Sequence, residues 1–142
     1  MSALLLAQNS PLLNVAPPEP ISTKPGSAFT AKVSATLSEG FHLNSHTPPE
    51  DFLIPLSLTW TPGPIAAVNV QYPRPQLLKL PFSPKPLSVL TGKFVLETRF
   101  KVVPGTQPGP TTVIGKLRYQ ACNDKACFPP KNVEVKLPVI IE

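Results

Sequence analysis

The chain has 142 residues, a length that suits one domain with a single hydrophobic core. Its 21 prolines exclude long helices, because each proline removes a backbone donor and clashes with the preceding helical turn. The net charge of +5 comes from lysines and arginines that are scattered singly, which argues against a nucleic-acid-binding surface, where basic residues cluster.

The first 20 residues are predicted to be an extension ahead of the domain. Their apolar run in "MSALLLAQNSP" lacks a basic flank and is shorter than the about 7–15 apolar residues of a signal peptide. The segment is therefore ordinary sequence, the remnant of a removed leader or a cloning scar. No stretch approaches the about 18 apolar residues needed to cross a bilayer, so we expect one domain at residues 21–142 without a membrane span.

Alternation of apolar and polar residues predicts the strands of this domain. In chain order the alternating segments lie at residues 29–37, 41–43, 54–60, 68–72, 94–102, 113–121 and 133–141. Pro55 places the third strand at a sheet edge. Seven short strands separated by turn signals predict an all-β fold, an immunoglobulin-like antiparallel β-sandwich, with a closed barrel as the alternative.

One connection is too long and too apolar for a plain surface loop. The segment "PRPQLLKLPFSPKPLSVLTG" between Tyr72 and Lys93 contains five prolines, and compact domains rarely carry structureless loops of this length. The segment is either a lid, whose leucines and Phe82 cover another part of the domain, or an irregular edge strand that packs on its own sheet.

Both cysteines lie in "YQACNDKACFPP", with four residues between them. If the sixth and seventh strands form a hairpin, residues 123–126 connect them, and Cys122 and Cys127 face each other at a separation that permits a disulfide. A disulfide that closes so short a loop adds only about 2 kcal/mol to the free energy of unfolding, whereas one that closes a hundred-residue loop adds nearly 5 kcal/mol. Strand parity places Cys122 on the outward face, where a partner thiolate reaches it. A structural hairpin disulfide of a secreted domain is the alternative.

A metal site is a further alternative, because His42 and His46 add two ligand types to the two sulfur atoms. Residues four apart on a strand lie roughly 13 Å from each other, whereas zinc ligands approach within about 2.0–2.3 Å of the metal. The sequence also lacks a nucleophile elbow, a phosphate-binding loop and a glycine-rich dinucleotide turn. We therefore predict neither a metal nor another cofactor.

Three segments carry a resemblance to a known family: "YQACNDKACFPPKNVEVKLPV", "GFHLNSHTPPEDFLIPLSLTW" and "YPRPQLLKLPFSPKPLSVLTGKFVL". Together they resemble the N-terminal periplasmic domain of the thiol:disulfide interchange protein DsbD, also called disulfide bond corrector, over about residues 20–142. The resemblance implies an immunoglobulin-like thiol-disulfide oxidoreductase domain with a reversible Cys122–Cys127 disulfide. It also implies electrons received from a thioredoxin-like domain fed by a membrane-embedded relay, and delivered to periplasmic disulfide isomerases or cytochrome-maturation thioredoxins.

The resemblance also implies roles for single residues. Cys127 is the sulfur attacked in the mixed disulfide, and the segment 76–91 is a cap that shields the pair through Phe82 and Leu80. Four residues are expected to border the site: His42, Asn44, Tyr119 and Phe128.

This chain departs from the family pattern near the site. Its cap reads "KLPFSPK", where the family often has acidic residues, and aromatic residues often occupy the positions of His42 and Asn44. His42 is accordingly either a proton carrier or a surface strand histidine. The alternative function is a non-enzymatic immunoglobulin-like binding or adhesion module with a structural disulfide.

Overall fold

The computed structural model describes residues 12–81 and 84–142. Within these ranges the chain forms strands and turns without a helix. The strands are β1 (Leu13–Val15), β2 (Ile21–Thr23), β3 (Ala28–Leu37), β4 (His42–Asn44), β5 (Ser57–Trp60), β6 (Ile65–Gln71), β7 (Gln76–Leu78), β8 (Leu87–Leu90), β9 (Lys93–Val102), β10 (Gly109–Tyr119), β11 (Ala121–Cys122) and β12 (Lys131–Ile141).

The strands assemble into three four-stranded sheets, with the orders β1-β3-β9-β6, β2-β12-β10-β5 and β11-β4-β8-β7. The first two sheets pack face to face, because Phe100 of β9 and Leu137 of β12 belong to one buried apolar cluster. Neighbouring strands are antiparallel except for β2 and β12. The predicted immunoglobulin-like β-sandwich is confirmed.

The long strands follow the predicted alternation. In β9 every second residue from Phe94 to Val102 is buried, and the residues between them face outward. Burying one large apolar side chain contributes about 1.5–3 kcal/mol, so this alternation fixes which face of the strand meets the core. Thr98 is the polar member of the buried face, and its hydroxyl accepts a hydrogen bond from Trp60 Nε1 at 3.0 Å.

The alternation that predicts a strand at residues 68–72 does not describe the burial of β6. Val68 is 53% exposed, since the register between β6 and β9 shifts between Ala67 and Asn69. A β-bulge adds one residue to the strand and reverses the side-chain parity beyond it. Pro55 lies outside β5, which is an edge strand as predicted.

The sheet begins upstream of residue 21. Strand β1 pairs with β3, and Leu13 is buried in the main core. This strand falls inside the segment that the sequence predicts to be an extension, so residues 13–15 are part of the folded sandwich.

The proline-rich connection forms the antiparallel pair β7–β8 at one edge of the third sheet. Leu53, Leu80, Leu87 and Val89 form a small buried cluster of their own beneath it, here called the Leu80 cluster. The prediction of an irregular edge strand therefore holds for the paired residues of this segment, because β7 is the edge strand of the third sheet. Phe82 lies outside the described residues.

Candidate functional site

The disulfide lies where the chain changes sheets. Strand β10 ends at Tyr119, whose last pairing is with β12. After Gln120, the residues Ala121 and Cys122 pair instead with β4 of the third sheet. Cys122 and Cys127 are joined in a disulfide with a Cα–Cα distance of 4.0 Å, as their spacing permits. The connection between β10 and β12 is longer than the predicted residues 123–126, since it runs from residue 120 to residue 130 and contains β11.

The prediction that Cys122 faces outward is wrong. Cys122 is fully buried, whereas Cys127 is partly exposed. The strand parity used for the prediction ends at Gln120, because the chain leaves one sheet there and enters another. Cys127 is therefore the more exposed residue of the pair.

Asn123 shapes the turn between the cysteines. Its side-chain Oδ1 accepts hydrogen bonds from the backbone amides of Lys125 at 2.9 Å and Ala126 at 2.8 Å. Its own amide donates to the carbonyl oxygen of Ala126 at 2.9 Å. Asparagine is favoured in such turns because its side chain replaces a backbone acceptor. The turn thereby holds Cys127 opposite Cys122.

Gln120 ties the two sides of the disulfide to the rest of the fold. Its Nε2 donates to the carbonyl oxygen of Phe128 at 3.2 Å. Its Oε1 accepts from the backbone amide of Ile54 at 3.0 Å and from Asn44 Nδ2 at 2.7 Å. Sequence reasoning did not single out Gln120; the signal was a polar residue next to the sulfur at the end of an apolar strand.

His42 lies directly opposite Cys122 in the β11–β4 pair. It is only 4% exposed, and its Nε2 has no hydrogen-bond partner among the described residues. Burial lowers the pKa of His42, because desolvation penalises the charged imidazolium. The alternative of a surface strand histidine is therefore wrong.

His46 has different surroundings from His42. Its Nδ1 lies 2.9 Å from the carbonyl oxygen of Leu56, and its ring stacks on Tyr72 with ring centroids 3.8 Å apart. Across residues 12–81 and 84–142, no three His, Cys, Asp or Glu side chains are grouped to hold a metal ion. The same part of the chain has no helix long and apolar enough to span a bilayer.

The remaining predicted border residues lie on both sides of the disulfide. Asn44 is buried and bonds through Nδ2 to Gln120 and to the carbonyl oxygen of Ile54. Tyr119, the last residue of β10, is buried in the main core. Phe128 packs against that core and lies 6.1 Å from the Phe41 ring, centroid to centroid.

The cap segment, residues 76–91, packs next to the exposed cysteine. Leu80 is buried within the Leu80 cluster, and Cys127 and Leu78 pack against that cluster. A cleft of about 470 Å³ opens between the cap segment and the start of β4. Its lining includes Glu39, Phe41, His42, Leu78, Leu80 and Asp124.

A family model for the N-terminal domain of the thiol:disulfide interchange protein DsbD matches residues 10–138. The chain belongs to this family. The predicted family resemblance is thereby confirmed, and with the disulfide formed between Cys122 and Cys127 it supports a thiol-disulfide exchange domain of the oxidoreductase type.

Solved structures of other proteins share the fold of this chain. The N-terminal periplasmic domain of ScsB from Proteus mirabilis matches with a TM-score of 0.66 and 13% identity, over 90% of this chain and 47% of that one. This chain thus spans about half the length of that relative.

A type I cohesin–dockerin complex from Clostridium thermocellum matches with a TM-score of 0.50 and 11% identity, over 94% of this chain and 97% of the other. At these identities both structures show the fold alone. Comparison with curated protein sequences finds no match.

Proposed function

We propose that this domain relays electrons from a thioredoxin-like donor to disulfide-containing client proteins of the periplasm, through reversible opening of Cys122–Cys127. The observation that carries the proposal is the unequal burial of the two cysteine residues, with Cys122 fully buried and Cys127 partly exposed. Exchange requires an in-line approach of a thiolate to one sulfur. Unequal burial directs every partner to Cys127.

In the proposed cycle, the donor thiolate attacks Cys127 Sγ. The disulfide breaks, its electron pair stays on Cys122, and a donor–Cys127 mixed disulfide forms. The donor's second thiolate then attacks the donor sulfur of this bond and releases Cys127 as a thiolate. The domain has now gained two electrons, and the donor leaves as a disulfide.

Delivery to the client is the reverse. The Cys127 thiolate attacks the client disulfide, and the client's leaving sulfur takes up a proton. Cys122 then attacks Cys127 Sγ, which restores the disulfide and releases the client as a dithiol. Cys122 needs no contact with the partner at any step, which agrees with its full burial.

The cap segment has a place in this cycle. Because Cys127 packs against the Leu80 cluster, an in-line approach requires this cluster to shift. We propose that the cap shields the disulfide from unspecific thiols until a partner displaces it. The role of Phe82 as a plug stays a prediction.

The midpoint potential of the disulfide tests the proposal. Equilibration with glutathione or thioredoxin buffers should give a value above about −300 mV, since structural disulfides typically lie below that value. The Cys122→Ser/Cys127→Ser double variant should fold and lose all electron transfer. A binding or adhesion module would keep its partner in the double variant, and a potential well below that limit would favour it.

A further inference from the structure

The buried Nε2 of His42 lacks a partner while the disulfide is closed. Nearly all buried polar side-chain atoms in native proteins have a hydrogen-bond partner, so an exception requires an explanation. The residue paired directly with His42 is Cys122, and it presents a polar group to the ring when the disulfide is open. That group is the Cys122 sulfur, which becomes a thiol or thiolate when the disulfide opens.

We propose that His42 is the hydrogen-bond partner and proton carrier of the Cys122 sulfur in the reduced domain. This inference rests on the proposed function and deepens it. When a partner thiolate bonds to Cys127 Sγ, the S–S bond breaks and its electron pair goes to Cys122. The imidazole then holds the buried thiolate by an N–H···S hydrogen bond, and a solvent proton passes through the ring to convert the thiolate to a thiol. The proton returns by the same route when the disulfide reforms.

The strand pairing places the two groups within reach. His42 and Cys122 are directly opposite in an antiparallel pair, and the β-carbons of such residues lie about 4.5–5.5 Å apart on one face of the sheet. Both residues are buried, so bulk water does not solvate a thiolate formed there. A buried unpaired charge is costly, and His42 is the titratable side chain facing it from β4.

Asn44 is not available for this role. It follows His42 by two residues on the same face of β4, but its amide nitrogen already donates to Gln120 Oε1 and to the Ile54 carbonyl oxygen. Its Oδ1 also lacks a partner among the described residues, but an amide oxygen only accepts hydrogen bonds and cannot donate one to a thiolate. Its backbone amide donates to the carbonyl oxygen of Gln120. Asn44 therefore lies opposite Gln120, whereas His42 lies opposite Cys122.

The cleft beside His42 provides the path to solvent. Glu39 and Asp124 are the titratable side chains that line it with His42. Both residues are exposed to solvent. The cap contributes Leu78, Leu80 and Thr91 to this lining, and these carry no charge.

The test uses a Cys127→Ser variant, in which Cys122 is the sole thiol. Its ionisation is followed by the ultraviolet absorbance of the thiolate against pH, with His42 present and with His42→Phe. Loss of the N–H donor should lower the ionisation constant of Cys122 about tenfold or more, the usual effect of one hydrogen bond to a charged group. His46→Gln, at a histidine outside the β11–β4 pair, should leave it unchanged. Equal constants for the His42 and His42→Phe proteins would overturn the proposal.

A second measurement needs no variant. The nitrogen-15 resonance of His42 Nε2 should move when the wild-type disulfide is reduced, because the atom gains a partner, while the resonances of His46 should stay. An unchanged His42 resonance would overturn the proposal even if His42→Phe does not fold. Both measurements use a chemical reductant and no protein partner. If these measurements show that His42 and Cys122 are coupled but the domain transfers no electrons between proteins, only the proposed function is refuted.

Discussion

The two cysteines of the disulfide differ in exposure because their backbones have different neighbours. Cys122 belongs to β11 and pairs with β4, whereas Cys127 lies beyond the turn, forms an isolated bridge to Cys122 and packs against the Leu80 cluster. One covalent bond therefore joins a fully buried cysteine to a partly exposed one. In the proposed cycle this difference gives the two cysteines separate roles, which single substitutions test.

We predict that Cys122→Ser captures partners and that Cys127→Ser does not. The probe is a thioredoxin-like protein whose single exposed cysteine is activated as a mixed disulfide with an aromatic thiol. Cys127 in the Cys122→Ser protein should form a covalent adduct at least about tenfold faster than Cys122 in the Cys127→Ser protein, because only Cys127 permits in-line attack. Non-reducing electrophoresis measures the adduct, and equal yields would refute the assignment of Cys127.

His42 should make the stability of the domain depend on pH. Burial lowers its pKa in the folded state from the usual value of 6.5, so the unfolded chain binds a proton that the folded chain does not. The free energy of unfolding should therefore decrease as pH falls from 6.5 toward the folded-state pKa. His42→Phe should remove this part of the pH dependence and His46→Gln should retain it. Urea unfolding at stepped pH measures it, and identical profiles for wild type and His42→Phe would contradict the prediction.

At the scale of the elements, the third sheet brings the redox pair and the cap together. Its strand order places β11 beside β4, β4 beside β8 and β8 beside the edge strand β7. The disulfide and the base of the cap are thus parts of one hydrogen-bonded layer. Cys127 packs against the Leu80 cluster, to which strand β8 contributes Leu87 and Val89.

Leu80→Ala should increase the rate at which iodoacetamide alkylates Cys127 in the reduced domain. Removing a buried leucine side chain weakens local packing by about 2–5 kcal/mol, so the cap should open more often. Leu77→Ala is the matched control, because Leu77 lies on the same cap and is 76% exposed. We expect at least about tenfold acceleration for Leu80→Ala, from that loss of packing, and none for Leu77→Ala. Phe82→Ala belongs in the same assay, and unchanged rates in both cap variants would remove shielding from the mechanism.

The elements also show what alternation predicts and what it does not. The strands β3, β9 and β12 alternate over ten residues or more, so their inner faces were predicted correctly. Strands of two or three residues, such as β1 and β11, carry too few residues for a period to show. Alternation also says nothing about partners. The burial of Cys122 depends on pairing with β4 about 80 residues earlier in the chain, which no local pattern encodes.

At the scale of the whole molecule, the site lies outside the two sheets that form most of the core. The apolar clusters that hold the sandwich draw on long strands such as β9 and β12, and the disulfide closes only a short turn of the third sheet. The cysteine pair and the family could be predicted from the sequence because the spacing is local. The network around Gln120 could not, because its partners Ile54 and Asn44 are distant in sequence.

Reduction should therefore leave the fold intact. A disulfide across so short a loop contributes about 2 kcal/mol on the loop-entropy model, which corresponds to a decrease in Tm of roughly 7 °C for a domain of this size. The Cys122→Ser/Cys127→Ser protein should unfold at a similar temperature, with unchanged far-ultraviolet circular dichroism. Complete unfolding on reduction would identify the disulfide as structural.

The backbone of Phe128 holds the residues next to the two cysteines together without the disulfide. The Phe128 amide donates to the Ala121 carbonyl oxygen at 2.9 Å, and the Phe128 carbonyl oxygen accepts from Gln120 Nε2. Neither bond involves sulfur, so breaking the S–S bond removes neither of them. We therefore expect the cysteines to stay close together after the disulfide opens, which gives Cys122 a high effective molarity toward a mixed disulfide at Cys127. In the proposed cycle, Cys122 then attacks Cys127 Sγ, reforms the intramolecular disulfide and releases the partner sulfur, so another thiol has little time to intercept the intermediate.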